Sequence, residues 1–403
     1  MSVPFALMIA SSDEAFREMV RDNLLNVPDS KVGAEYQDVS PNLYVRVMQD
    51  LDRYPNSAVI VDLATDTEQG LKSLERLKQA VPDLYVIASH YHADGETVIQ
   101  ALRSGANDFI LQPIRRTDFR EAVGRFERAP KRIASTESKL GKVYTFLGTK
   151  GGVGTTTLAV NFAAVLAQRK QSVVAVDLDW TANDIAMQTG GSPQYTLAEV
   201  AENLSRMDQA LFESLAHRDP LGFYNVGPAD TLEHRGYFTG PMFRDFSTFL
   251  IEKYDATVVD AGKDLGDEVV AGACQISTTV FLVLTQEFPA IRNTQRYIGA
   301  LVRSGFTHDQ IKVVVNRYTK KPNSHLATLE QIKSTLNQPV FYGIPESPAF
   351  LAAINKGRPL VADRQFAPEV DKAFRAFVDK ANKPGSASGS SVSHNGAAAG
   401  AAR

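Results

Sequence analysis

The sequence predicts an α/β protein made of two doubly wound parallel-sheet domains in tandem. Three observations predict it. Short apolar runs alternate with amphipathic segments from residue 5 to about 127, and the alternation resumes at Val143 and runs to about Asn382. The stretch between, "RAPKRIASTESKLGK" (128–142), is polar and basic with little apolar periodicity, as a linker should be. The second unit opens on a glycine-rich loop, "GTKGGVGTTT", set between an apolar strand and an apolar helix.

In the first unit the predicted strands are "FALMIA" (5–10), "KVGAEY" (31–36), "AVIVDL" (58–63), "LYVIAS" (84–89) and "DFILQP" (108–113). Amphipathic helices fit between them. "SSDEAFREMVRDNLL" begins with capping residues and puts Phe16, Val20 and Leu24 on one face, and "HADGETVIQALRSGA" ends at Gly105, a plausible helix stop. In the second unit "KVYTFLGT" is a strand and "TTLAVNFAAVLAQ" a helix, with Leu158, Phe162, Val165 and Leu166 on its apolar side. "SVVAVDLDWTANDIAM" carries a buried strand ending in Asp177 and Asp179, "YDATVVDAG" one ending in Asp260, and "IKVVVNRYTK" another. The last 20 residues, 384–403, are Gly, Ser and Ala with almost no large apolar side chain. They cannot offset the entropy of ordering, so a disordered tail is expected.

Composition excludes more partners than it suggests. With 403 residues, 44% of them hydrophobic, the chain can bury two cores, and a net charge of −3 gives no overall cationic field for nucleic acid or anionic lipid. The single cysteine, Cys274, can form neither an internal disulfide nor a cysteine-based metal site and is expected to be buried; a reducing compartment is its natural setting. No apolar run approaches 18 residues and no basic stretch precedes the N-terminal apolar run. The expectation is a cytoplasmic protein without a spanning helix.

The chemistry-bearing residues gather around the glycine loop. A strand, a glycine loop and a helix N-terminus together aim backbone N–H groups and the helix dipole at an anion, so Gly151, Gly152, Val153 and Gly154, followed by Thr155, Thr156 and Thr157, read as a phosphate cradle. The lysine that usually ends such a loop is replaced by Thr155. This loop resembles the deviant Walker A loop of the MinD/ParA family of dimeric P-loop ATPases. The resemblance implies ATP and Mg2+ as cofactors and assigns Lys150 as the signature lysine that reaches the partner's phosphates across a nucleotide-sandwich homodimer. It makes Thr156 and Asp260 the residues that hold Mg2+, and Asp179 the one that orients the attacking water, with the segment to Asp184 as the first switch. A strand-end cap is the other reading of Asp177. By the same resemblance Asn316, Arg317, Pro345 and Glu346 line the base. The missing lysine implies weak or slow hydrolysis, because one cation that would offset transition-state charge is absent.

The first unit resembles the receiver domain of response regulators. Asp62 stands where the phosphoacceptor would and Ser89 at the hydroxyl position, but Ser11 and Ser12 occupy the acidic-pair positions, with Asp13 beside them, and Gln112 precedes Pro113 in place of lysine. Without those carboxylates and that lysine the acyl phosphate has no metal and no cationic partner, so Asp62 is a vestigial phosphoacceptor in a docking module.

A receiver-like domain (1–127) lacking its phosphorylation set, a linker (128–142) and a MinD/ParA-like ATPase domain (143–383) together resemble the CpaE/TadZ group. That resemblance implies a localisation and assembly factor for Flp (Tad) type IV pili. It would be cytoplasmic, at the cell pole or inner-membrane periphery, and would contact pilus and secretion-machinery proteins including their motor ATPase. It leaves room for peripheral membrane association. The alternative is a ParA-type partitioning ATPase that binds DNA, or another cargo-positioning ATPase. DNA binding would need a gathered basic face, and residues 143–382 hold no dense basic cluster. A membrane oscillator would end in a basic amphipathic helix, a tyrosine autokinase in a tyrosine cluster, and an electron carrier would need ligating cysteines; none of these patterns is in the sequence.

Overall fold

The structure is a computed structural model that describes residues 4–40, 42–51, 53–92, 94–130, 140–228, 238–304, 306–320 and 325–382. The predicted linker lies largely outside the described residues, and the predicted tail wholly so.

Two sheets organise the chain. The first contains β1 (Phe5–Ala10), β2 (Ser30–Tyr36), β3 (Ser57–Asp62), β4 (Tyr85–His90) and β5 (Asp108–Leu111), all parallel, in the order β2-β1-β3-β4-β5. Strands β1 and β3 are buried along their whole length, because helices cover both faces of the sheet; this is why they read as unbroken apolar runs. Helix α1 (Glu14–Leu24) starts where the Asp13 carboxylate accepts the Ala15 amide, and it buries Phe16, Val20 and Leu24 as its spacing predicts. The predicted fifth strand ran to Pro113, whereas β5 stops at Leu111. Proline has no N–H to give to a ladder, and the chain turns there. Strand order reverses between β1 and β3, so the crevice at their C-terminal ends holds Ser11 and Asp62.

The second sheet contains β6 (Lys142–Gly148), β7 (Val173–Asp177), β8 (His217–Arg218), β9 (Tyr224–Val226), β10 (Ala256–Asp260), β11 (Thr279–Leu284), β12 (Ile311–Tyr318) and β13 (Val340–Pro345). Their order is β13-β12-β11-β6-β10-β7-β9-β8, and all pairs are parallel except the two-residue edge strand β8 on β9. The sequence predicted no strand at β8, β9, β11 or β13. The first two are too short to show a period, and "TVFLVL" of β11 is an apolar run that carries no chemistry.

Helix α6 (Thr155–Gln168) departs from its predicted one-sided face: every residue from Leu158 to Leu166 is buried. It lies between the sheet, the Leu360–Ala362 turn and the Pro368–Asn382 helix, so no side of its middle reaches solvent. Its Phe162 meets Tyr144, Phe146, Phe281 and Phe377 in one aromatic cluster. A fully buried ring of this kind contributes roughly 2–3 kcal/mol, and the cluster fixes the helix whose N-terminus faces the glycine loop.

The two sheets meet along a seam. Tyr44 donates to Glu252 at 2.6 Å, Gln49 to the Ile276 carbonyl at 3.2 Å and Gln37 to the Arg303 carbonyl at 3.1 Å. Cys274 is buried close by, and burial pushes its thiol up to about 12, which leaves it protonated and unreactive. Among the described residues no helix is long and apolar enough to cross a membrane.

Candidate functional site

At the edge of the first sheet, Asp62 is buried together with Ser11, Ser89 and Gln112. Ser11 Oγ donates to one carboxylate oxygen at 2.6 Å; Gln112 Nε2, at 2.8 Å, and the Ala64 amide, at 2.9 Å, donate to the other. Neutral groups at two positions of the missing phosphorylation set therefore close over the aspartate and satisfy both its oxygens. Ser89 turns away and donates to the Ile110 carbonyl. Ser12 is exposed, and Asp13 is spent on the α1 cap.

The second sheet places its loop at the centre. Strand β6 lies between β10 and β11, and the loop after it leads into α6, whose first turn has neither a capping side chain nor an acidic residue. Those free N–H groups make an anion site at the helix N-terminus. Two glycines are dictated by geometry. At Gly148 a Cβ would sit 2.3 Å from Thr155 Oγ1, and at Gly154, where φ is +88°, it would meet Asn316 Nδ2 at 2.4 Å. Asn316 Nδ2 donates to the Val153 carbonyl at 2.7 Å and Asn293 to the Thr149 carbonyl at 2.9 Å, so neighbouring strand and helix brace the loop from outside. Lys150 Nζ is 2.5 Å from Glu287 Oε2, and both side chains are about half-exposed.

Three acidic positions converge on the far side of the loop. Strands β7 and β10 put Asp177 directly beside Asp260, and both are fully buried. Asp177 accepts the amides of Asp179 and Ile185, at 2.9 and 3.0 Å. Asp260 Oδ1 accepts the Gly262 amide at 3.1 Å. The Thr156 hydroxyl stands near enough to favour the ionised form, but among the described residues nothing makes a hydrogen bond of ordinary geometry to Oδ2. Burial, with the charges of Asp179 and Asp184 added, pushes the Asp260 carboxyl up to about 7. Burial and the neighbouring Asp260 raise Asp177 in the same way. Asp179 accepts from Thr181 N and Oγ1 and packs against Gly262, at the lip of the site.

An orphaned carboxylate oxygen among acidic neighbours fits a divalent cation. Among the described residues no cluster of three or more acidic, histidine or cysteine side chains could hold a metal alone, so such an ion would complete its shell with waters and a bound phosphate. Mg2+ behaves in this way, and Thr156 and Asp260 are the residues that would hold it; when bound it would neutralise phosphate charge. Of the positions expected to line the base, Asn316 is buried with its amide turned onto the loop, while Arg317 is exposed with φ +50°, a strained backbone for arginine. Glu346 is exposed, and its amide donates to the Tyr318 carbonyl at 3.2 Å, which brings Pro345 and Glu346 beside the end of β12. Sequence reasoning missed Glu287 and Asn293. Glu287 was signalled by its place just after an apolar strand; Asn293, inside a helix, had no signal.

A central parallel sheet, a glycine loop feeding a buried helix and a strand-end aspartate facing it define the class of P-loop nucleotide-binding proteins. The chain belongs to the CobQ/CobB/MinD/ParA nucleotide-binding domain family, which residues 144–360 match, and residues 11–124 match the response regulator receiver domain. The septum site-determining protein MinD of Thermotoga maritima is 28% identical over 229 residues, 55% of this chain and 81% of that protein. A putative MinD of Guillardia theta is 26% identical over 231 residues, 56% and 82% of the two chains. Among solved structures, a ParA family ATPase from Chlorobium tepidum is similar with a TM-score of 0.55 at 21% identity, covering 60% of this chain and 98% of that one. MinD from Pyrococcus horikoshii complexed with Mg-ADP has a TM-score of 0.52 at 22% identity, covering 60% and 97%.

Proposed function

We propose that this protein is an ATP-binding localisation and assembly factor for Flp (Tad) type IV pili, working as a nucleotide-dependent homodimer with slow hydrolysis. The observation that carries the reading is the contrast within one chain: a receiver-like site closed by Ser11 and Gln112, ahead of a nucleotide loop that keeps Lys150 and Thr156 but has Thr155 at the lysine position. Such a protein takes its input from bound nucleotide and not from phosphorylation. The Mg-ADP held by the Pyrococcus horikoshii relative is the type of ligand that the orphaned Asp260 oxygen and the uncapped α6 N-terminus would accept.

Dimerisation is supported by what surrounds the loop. Phe288, Met187 and Leu351 are 77%, 57% and 63% exposed, on helices that follow strands β11, β7 and β13 at the same sheet edge. Large apolar side chains exposed around a charged cleft are what a second copy would bury. Lys150, half-exposed and tied among the described residues only to Glu287, is free to exchange that surface pair for a partner's phosphates.

The test is to titrate Mg·ATP into the purified full chain while following mass by light scattering. The mass should double with ATP, and Lys150→Ala should stay monomeric while melting at the parental temperature. A chain that stays monomeric at saturating Mg·ATP leaves only a static scaffold. For the pilus assignment, a strain deleted for this protein should lack surface Flp pili; normal piliation in that strain would end the assignment.

A further inference from the structure

We propose that Lys263 supplies, from the same chain, the cation that position 155 lacks, and that its ammonium binds the phosphates of a nucleoside triphosphate held in the loop. This rests on the nucleotide reading above and extends it to a residue outside the glycine loop.

Lys263 follows β10 three residues after Asp260, and the backbone on either side of it is anchored. The Gly148 amide donates to the Gly262 carbonyl at 2.7 Å, the Gly262 amide donates to Asp260 at 3.1 Å, and Tyr297 Oη donates to the Lys263 carbonyl. The segment that carries the lysine is thus tied to the last residue of β6, at the foot of the loop. Its side chain is exposed and crosses to the loop: the open side of Gly151, where any other residue would carry its Cβ, faces Lys263 Nζ at 3.6 Å.

The other charges at the loop do not fill this role within one chain. Lys150 is held by Glu287 on the opposite flank, and the Thr155 hydroxyl points back toward Gly148. Among the described residues no carboxylate pairs with the Lys263 ammonium. An unpaired ammonium with three donors, next to a row of backbone N–H groups, is matched to a phosphate oxygen. Because Lys263 sits on the loop that begins at Asp260, phosphate contact through it would also hold that loop against the glycine loop.

The experiment measures binding of a fluorescent ATP analogue with Mg2+ to the full chain and to three variants. Lys263→Ala should weaken binding by about tenfold or more, the size expected for one charge-assisted phosphate contact, and Lys263→Arg should stay near the parental value. Placing Thr155→Lys in the Lys263→Ala background should recover most of the loss, which a merely structural role for Lys263 would not allow. Melting temperatures without nucleotide should be alike, since the side chain is exposed. Parental affinity in Lys263→Ala, or no recovery with Thr155→Lys, overturns this inference and leaves the nucleotide reading in place. A parent chain that does not bind Mg·ATP overturns the nucleotide reading itself, and this inference with it.

Discussion

Asp62 and Asp260 occupy the same place in the two sheets. Each ends a buried strand at the C-terminal edge of a parallel sheet, and each faces a hydroxyl residue that follows the neighbouring strand, Ser11 in one case and Thr156 in the other. Their surroundings differ in two respects. Asp62 receives three neutral hydrogen bonds that use both oxygens, whereas Asp260 Oδ2 has no hydrogen-bond partner among the described residues, and Asp260 has Asp177 as its in-register neighbour. A satisfied carboxylate has nothing left to recruit. A buried carboxylate with an orphaned oxygen and acidic neighbours is unfavourable until a cation arrives, and that incompleteness marks the working site.

The contrast breaks most visibly at Asp260 itself. Asp260→Ala should lose about 10–100-fold in the Mg2+-dependent part of nucleotide affinity, the usual size for a group that holds a metal through water, as read by titration calorimetry with and without EDTA. Asp62→Asn should leave that affinity unchanged. If the two substitutions act alike, the distinction between a closed and an open site is lost.

At the closed site the expected effect is on stability. Gln112→Leu would leave Asp62 Oδ1 with the Ala64 amide as its sole donor inside the core, at a cost of about 1–3 kcal/mol, seen as a lower urea midpoint with an unchanged m-value. Phosphodonor with Mg2+ should add no mass at Asp62. The triple change of Ser11→Asp, Ser12→Asp and Gln112→Lys should permit such a gain, because it supplies both the carboxylates for the metal and the cation for the acyl phosphate. Mass gain in the parent chain would show that neutral closure does not prevent the chemistry.

The sequence exposed these sites unevenly. Among the glycines, Gly148 and Gly154 stand where close approach to Thr155 and Asn316 admits no Cβ and Gly152 where φ is +78°, and Asp260 stands out because an acidic residue at the end of an apolar strand is conspicuous. Local pattern was enough for both. It also showed which phosphorylation residues are missing around Asp62, but not that Ser11 and Gln112, 51 and 50 residues away in sequence, would turn inward to cap it. Long-range pairing of that kind depends on strand order, as do the Lys150–Glu287 pair and the brace from Asn316 to Val153. The one-sided face predicted for α6 failed because periodicity reports a helix covered on one side, whereas this helix is covered all round.

The smallest predicted effect separates the two sites by pH. A carboxyl whose folded pKa lies above its unfolded value binds its proton more tightly in the native state, so the stability it contributes is complete below about pH 4 and is lost as pH rises through the folded value. Asp260, pushed up to about 7 by burial, should therefore make the nucleotide-free chain less stable at pH 8 than at pH 6, and the raised Asp177 acts in the same direction. Bound Mg·ATP needs Asp260 ionised and removes this penalty. The stabilisation by Mg·ATP should accordingly be larger at pH 8 than at pH 6, by about 1 kcal/mol, in thermal melts at constant ionic strength. The difference should vanish in Asp260→Ala and persist in Asp62→Asn. A Mg·ATP effect independent of pH from 6 to 8 would mean that the buried acid at the end of β10 is already ionised before the cation arrives, and that its orphaned oxygen is satisfied by some other means.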